Sequence, residues 1–286
     1  MKSTLVLYHA SCSDGFCAAW IYRRYVSPSA EFRAVQFGSE PPSVADRDVV
    51  ILDFSYPRPL LLEMKNKARS LWVLDHHQTA AAELEGLDFC VFDLEKSGAR
   101  LAWEHFSTTD PEAAANVHWL VDYTEDKDLW TWKLPDSRAI NAAVGSYPRV
   151  FGVWDRMAQR QPKELVIEGS AILRFQDRLI RPRVKNHAWA KISGYRVPVT
   201  NSTCLSSEIG NALAEGQPFA AVFFVTTDSR VVYNLRSNTR DGVDVGEIAR
   251  QYGGGGHPHA ASFMVDSMLP MEGPPGVAGT AGAAEA

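Results

Sequence analysis

The stretch "LWVLDHHQTA" (71–80) decides how this chain is read. Four apolar residues, Leu71 to Leu74, run straight into Asp75, His76 and His77. The run is too short for a self-burying helix and is rich in Leu and Val, which suits a strand covered on both faces. Three adjacent ionisable groups are costly to pack unless something pairs with them. A metal ion would do so.

Two earlier segments share the pattern. "TLVLY" (4–8) leads to His9, Cys12 and Asp14, and "VVIL" (49–52) leads to Asp53. Helical patterns separate the three runs: "GFCAAWIYRRY" (15–25), then "PLLLEMKNKARS" (59–70), with Pro59 where a helix would begin. Strands alternating with helices predict an α/β domain, a parallel sheet with helices on both faces. Parallel strands end at one edge, and ligand sites in such sheets lie beyond it. Segments far apart in sequence should therefore deliver imidazoles and carboxylates to one place.

His9, Asp14, Asp53, His76 and an acid from 125–128 have the composition of a divalent-ion site. Mixed carboxylate and imidazole ligands favour Mn²⁺, with Fe²⁺, Co²⁺ or Zn²⁺ as alternatives. Two ions about 3.5–4 Å apart that share a carboxylate can bind phosphate oxygens and supply hydroxide for in-line attack. Asp53, central among the strands, is the bridging candidate. Each residue alone has a plainer reading. A strand-end Asp commonly caps the next helix, and Ser13 or Asp14 suits that role.

Residues 95–185 read mostly as helix, in "SGARLAWEHF" (97–106), "AAANVHWLVDY" (113–123) and "AILRFQDRLI" (171–180). The acidic cluster "EDKDLWTW" (125–132) falls among them, and Trp130 and Trp132 are expected in the core. Beyond 185 the texture changes. "AVFFVTT" (221–227) and "VVYNLRS" (231–237) predict a β-hairpin. "VDVGEIARQYGGGGHPHAASF" (243–263) predicts a short helix followed by a glycine loop. Glycines let successive backbone N–H groups turn towards an anion. With Arg236 and His257 nearby, the segment has the make-up of an anion clamp. Domains are expected over 1–185 and 186–268. The remaining 269–286, rich in Gly, Ala and Pro, is expected to be a disordered tail.

The 286 residues, 45% hydrophobic and 22% charged, are ordinary for a globular protein and enough for one large or two medium domains. No apolar run approaches the roughly 18–20 residues that span a bilayer. "MKSTLVLYHA" lacks the long apolar core and cleavage site of a signal peptide. Four cysteines make no disulfide framework, so the cytoplasm is the expected compartment. A net charge of −5 argues against coating long duplex nucleic acid. It leaves room for a short anionic ligand in a local cationic pocket.

"LDHH" (74–77), "HASCSDG" (9–15), Asp53 after "VVIL" and "GGGGHPHAASF" (253–263) together resemble the DHH phosphoesterase superfamily with a C-terminal DHHA1 domain. The chain is most similar to the nanoRNase and oligoribonuclease branch. Relatives of that branch cleave linear dinucleotides or dephosphorylate adenosine 3′,5′-bisphosphate. The resemblance implies roles. His9 matches the first-motif His, Asp14 its second acid, Asp53 the bridging acid and His76 the metal-binding His. His77 matches the His that contacts the reacting phosphate, and Asp75 the acid that orients the site. The fourth-motif acid best matches Asp128, with Asp126 and Asp122 as alternatives. Arg236, Gly254, Gly255, Gly256 and His257 match the substrate clamp.

One departure stands out: Cys12 occupies the place of the family's first Asp. A thiolate there is a softer ligand, which shifts that position towards Zn²⁺ or Fe²⁺ or leaves it to fill with substrate. The implied activity is exonuclease-like hydrolysis of short RNA or nucleotides. A cyclic-dinucleotide phosphodiesterase and a nucleotide sensor with little turnover are the alternatives. No long duplex and no membrane is expected as partner, and the oligomeric state is left open, a homodimer included.

Overall fold

The structure is a computed structural model that describes residues 3–10, 12–107, 117–238 and 243–272. It divides into two units, Met1–Phe175 and Gln176–Ala286.

The first unit is built on β1 (Thr4–His9), β2 (Glu31–Val35), β3 (Asp48–Leu52), β4 (Ser70–Asp75) and β5 (Cys90–Phe92). All pair in parallel, in the order β2-β1-β3-β4-β5. Around them run α1 (Ser13–Tyr25), α2 (Arg58–Lys67), α3 (Gln78–Glu83), α4 (Gly98–Phe106), α5 (Trp119–Asp128), α6 (Ser137–Ser146), α7 (Phe151–Met157) and the start of α8 (Val166–Lys185). Side chains alternate between the two faces of a strand. Leu5, Leu7, Val49, Ile51, Leu71 and Val73 form one core with Leu61 and Met64 of α2. Val6, Val50, Leu52 and Leu74 form the other with Phe16, Trp20 and Ile21 of α1 and Leu101 of α4. Each such fully buried side chain stabilises the fold by about 1.5–3 kcal/mol. The sheet is thus covered on both faces, as the uninterrupted apolar runs predict.

Two strands lie outside the sequence expectations. β2 is an edge strand with Arg33 and Ala34 exposed, and β5 has only three residues. Neither has the apolar run that marks β1, β3 and β4. Of the helix expected over 113–123, residues 113–116 lie outside the described residues. α5 begins at Trp119, where His118 Nδ1 accepts from the Leu120 N–H.

Trp130 and Trp132 do not join the core. Both are half-buried and in the left-handed region (φ 57° and 53°), with their rings edge to face at 4.9 Å. The loop that carries them wraps around Asp126. That carboxylate accepts from Thr131 Oγ1 and from the Lys133 and Leu134 N–H groups.

The second unit holds β6 (Ala188–Ile192), β7 (Tyr195–Asn201), α9 (Ser206–Leu213), β8 (Ala220–Val225), β9 (Val231–Arg236), α10 (Val245–Gln251), β10 (Gly255–His257), β11 (Ala260–Val265) and β12 (Met271–Glu272). The sheet order is β10-β11-β9-β8-β7-β6-β12. β8 and β9 form the predicted antiparallel hairpin, while β7 and β8 run parallel. Val245, Ile248 and Ala249 of α10 share one core with the sheet. Ile209 and Leu213 of α9, with Ile180 and Val184 of α8, share the other. Residue 185, the expected boundary, is the last residue of α8, inside which the two units divide.

Two expectations are corrected here. The glycine segment is an edge strand, not an open loop: Gly255 and Gly256 pair with Ser262 and Ala261 of β11. A Cβ on Gly254 would collide with the Ser262 carbonyl oxygen, so close strand approach accounts for that glycine. Residues 269–272, assigned to the tail, instead join the sheet. The Leu269 N–H donates to Tyr233 Oη, Met271 and Glu272 pair with Ala190 and Trp189, and Glu272 bonds Arg196 at 2.8 Å. Residues 273–286 lie outside the described residues. Among the described residues, no helix is long and apolar enough to cross a membrane.

Candidate active site

The carboxyl ends of β1, β3 and β4 carry His9, Asp53 and the Asp75-His76-His77 run. Past Leu52 the chain turns sharply, and Asp53 takes a left-handed conformation (φ 54°), pinned by its N–H to the Leu74 carbonyl at 2.9 Å. Such strain costs on the order of 1–3 kcal/mol and concentrates at functional positions.

His76 Nε2 is ringed by three carboxylates. It lies 3.1 Å from Asp53 Oδ1, 3.5 Å from Asp128 Oδ2 and 3.8 Å from Asp14 Oδ2. Asp14, Asp53 and His76 are all buried, and their ligand atoms lie within 4.8 Å of one another. His9, Asp53 and His77 form a second group by the same measure, so Asp53 belongs to both. His9 Nδ1 is 3.5 Å from Asp53 Oδ2, a buried oxygen that accepts no hydrogen bond. His77 donates from Nδ1 to Asp75 Oδ1 at 2.7 Å, and Asp75 also accepts from the His76 N–H.

The start of α4 fixes Asp14, and sequence reasoning missed it. The Gly98 N–H donates to Asp14 Oδ2 at 2.6 Å and the Ala99 N–H to Oδ1 at 2.9 Å. Free N–H groups and the helix dipole both favour an anion there. A Cβ on Gly98 would lie 2.5 Å from Asp53 Cβ and 2.8 Å from Asp14 Oδ2, so only glycine fits. The available signal was Ser97-Gly98 before an apolar-periodic run: Ser97 Oγ accepts from the Arg100 N–H as the N-cap.

Of the three candidate acids from the fourth motif, only Asp128 faces His76. Asp126 is engaged in the loop just described, and Asp122 bonds the Arg100 guanidinium at 2.6 Å. Cys12 takes a structural part. Its Sγ accepts from the Asp14 N–H at 3.3 Å as the N-cap of α1, and it is in neither ligand group.

Electrostatics sharpen the picture. Burial raises the Asp14 pKa well above the usual carboxylate range, and the Asp53 and Asp128 charges add to the rise. Asp128 is raised by burial too, with Asp53 opposing its ionisation. Burial works against Asp53 ionising as well, but the His76 hydrogen bond and the nearby His9 imidazole outweigh it and hold its pKa down. Burial disfavours a charged His76, yet the surrounding carboxylates hold its pKa well above the ordinary value. The Cys12 thiol is pushed well up by burial and then by Asp53, Asp128 and Asp14. Crowded buried carboxylates, a strained shared Asp and an unsatisfied Asp53 oxygen fit a divalent cation.

In the second unit, Arg236 is tied by Nη2 to Ser207 Oγ and by Nη1 to the Leu235 carbonyl, both at 2.7 Å. His257 pairs with Ala260 across β10 and β11. His259 Nδ1 lies 3.1 Å from Ser237 Oγ.

The chain resembles known proteins along its whole course. The DHHA1 domain family matches residues 205–272. An uncharacterized protein, R106 of Acanthamoeba polyphaga mimivirus, is 31% identical over 94% of this chain and 69% of its own length. The chain carries a DHHA1 domain and is a relative of R106. The α/β architecture agrees with a solved structure, that of the pGpG-specific phosphodiesterase PggH from Vibrio cholerae. That structure is 16% identical, with a TM-score of 0.50 over 92% of this chain and 93% of that one. RecJ from Thermus thermophilus, solved with Mn²⁺, is 16% identical, with a TM-score of 0.49 over 92% of this chain and 49% of that one. The DHHA1 match ends at 272, where β12 ends, four residues beyond the expected boundary at 268.

Proposed function

We propose that this DHH/DHHA1 protein is a cytoplasmic, metal-dependent hydrolase of phosphoesters in short nucleotides: oligoribonucleotides of nanoRNase type, linear dinucleotides or adenosine 3′,5′-bisphosphate. The carrying observation is His76 Nε2 within 3.8 Å of three carboxylates, one of which, Asp53, is shared with a second group. Asp14, Asp53, His76 and Asp128 would hold one divalent ion, and His9 and Asp53 would contribute to a second, leaving His77 to face the phosphate. Mn²⁺ best suits this donor set. When bound, such ions activate water and neutralise phosphate charge.

The chain's own residues supply the rest. Asp75 keeps His77 oriented and its pKa above the ordinary value, against the pull of burial, so the imidazole can carry a proton towards an anionic phosphate. The α4 N-terminus holds Asp14 against displacement. The Arg236 guanidinium and the Gly254–His257 segment are the proposed substrate-binding elements of the DHHA1 unit, and Arg suits them because its fork grips phosphate at two points.

Incubation with Mn²⁺ and end-labelled oligoribonucleotides of graded length tests the reading. Release of mononucleotides from dimers, lost in Asp53→Ala and His76→Ala, is the expected result. Failure to cleave any phosphoester with any divalent ion overturns it.

A further inference from the structure

Val35, the last residue of β2, is followed by "QFGS" (36–39). The Ser39 N–H donates to the Gln36 carbonyl at 3.0 Å, and Gly38 has φ 79°. This is the pattern of a type II turn, which needs a positive φ at its third residue and puts the second at the outer corner. The second is Phe37. The residue is 56% exposed.

An isolated exposed apolar residue is ordinary and needs no role. Phe37 is not isolated. Its ring centroid lies 5.6 Å from that of His9, 5.9 Å from that of His77 and 5.0 Å from that of Phe54. Phe54 is buried and itself backed edge-on by buried Tyr56 at 4.9 Å. A braced aromatic ring thus stands at the rim of the site, against the two imidazoles and Phe54, with more than half of the residue open to solvent.

We propose that Phe37 is the stacking platform for a nucleobase of the substrate, set one sugar's reach from the phosphate that His9 and His77 face. The assignment rests on the nucleotide reading of the site. A neutral ring suits this place, because every base has a π-face and stacking adds affinity without adding charge to an acid-rich site. It makes the site selective for phosphoesters that carry a base, and tolerant of which base.

The experiment measures KM and kcat for a ribodinucleotide and for two versions with an abasic sugar on one or the other side of the scissile phosphate. Wild type, Phe37→Ala, Phe37→Trp and Gly38→Val are compared, with thermal melts to confirm folding. Expected are a KM for the intact dinucleotide about 5- to 100-fold higher in Phe37→Ala, with kcat changed much less, and recovery in Phe37→Trp. Gly38→Val, which strains the turn without meeting a neighbour, should follow Phe37→Ala. Wild type should prefer the intact substrate over one abasic version, and Phe37→Ala should lose that preference. An unchanged KM, or a preference that survives in Phe37→Ala, overturns the assignment while leaving the hydrolase reading intact. Wild type inert towards all three substrates removes both.

Discussion

Asp75 Oδ1 and His77 Nδ1 lie 2.7 Å apart at the end of β4, with the carboxylate fully buried and the imidazole at the rim. Burial alone would keep Asp75 neutral. The His77 charge and hydrogen bond outweigh it, so the Asp75 pKa lies below the ordinary value. The pair fixes which His77 nitrogen faces outward. Asp75→Asn keeps the shape and removes the charge. We expect kcat to fall about 10- to 100-fold, the usual effect of losing a carboxylate behind an active imidazole. KM should move little, and an unchanged kcat would remove Asp75 from the mechanism.

Asp128→Asn separates activity from stability. The Asp128 pKa is raised in the folded chain, so at neutral pH unfolding relieves its charge and the carboxylate works against folding. The amide should abolish hydrolysis and raise the melting temperature in chelator by a few degrees at most. Mn²⁺ should raise the wild-type melting temperature more than that of the variant. A variant less stable than wild type in chelator would contradict the picture.

Gly98→Ala is the smallest change that should break the site. Its methyl has no room between Asp53 and Asp14, and overpacking of this kind costs about 1–3 kcal/mol. The melting temperature should drop by several degrees, and activity should fall further than stability because two acids are displaced. An active, equally stable variant would show that α4 does not clamp Asp14.

The thiols should react unequally. The Cys90 pKa is pushed up to about 11 by burial and then by the Asp75 charge, and Cys17 and Cys12 are raised as well. Cys204 is exposed. At pH 8 an aromatic disulfide reagent should find one fast thiol per folded chain, absent in Cys204→Ser. Two or more fast thiols would mean that α1 or β5 opens readily.

The strands that end in the site were legible because they are buried on both faces: the apolar runs before His9, Asp53 and Asp75 have no other use. β2 was not, since its Arg33 and Ala34 face solvent at the edge of the sheet. The His and Asp side chains that meet could be picked out because parallel strands finish together. Gly98 was missed, because its part lies in a missing side chain and two backbone N–H groups, and the Ser97 N-cap marks only the start of a helix, not what that start holds. The glycine segment misled for the opposite reason. Absent side chains serve tight strand contact as well as anion binding, and only the register with β11 tells them apart.

The order β2-β1-β3-β4-β5 has a consequence for biosynthesis. After β1 and β2, each new strand leaving the ribosome finds its neighbour already made, so the sheet can grow outward as translation proceeds. Asp128 comes last, more than 50 residues after Asp75. The nascent chain can therefore build its scaffold before the last acidic group arrives to complete the charge trap.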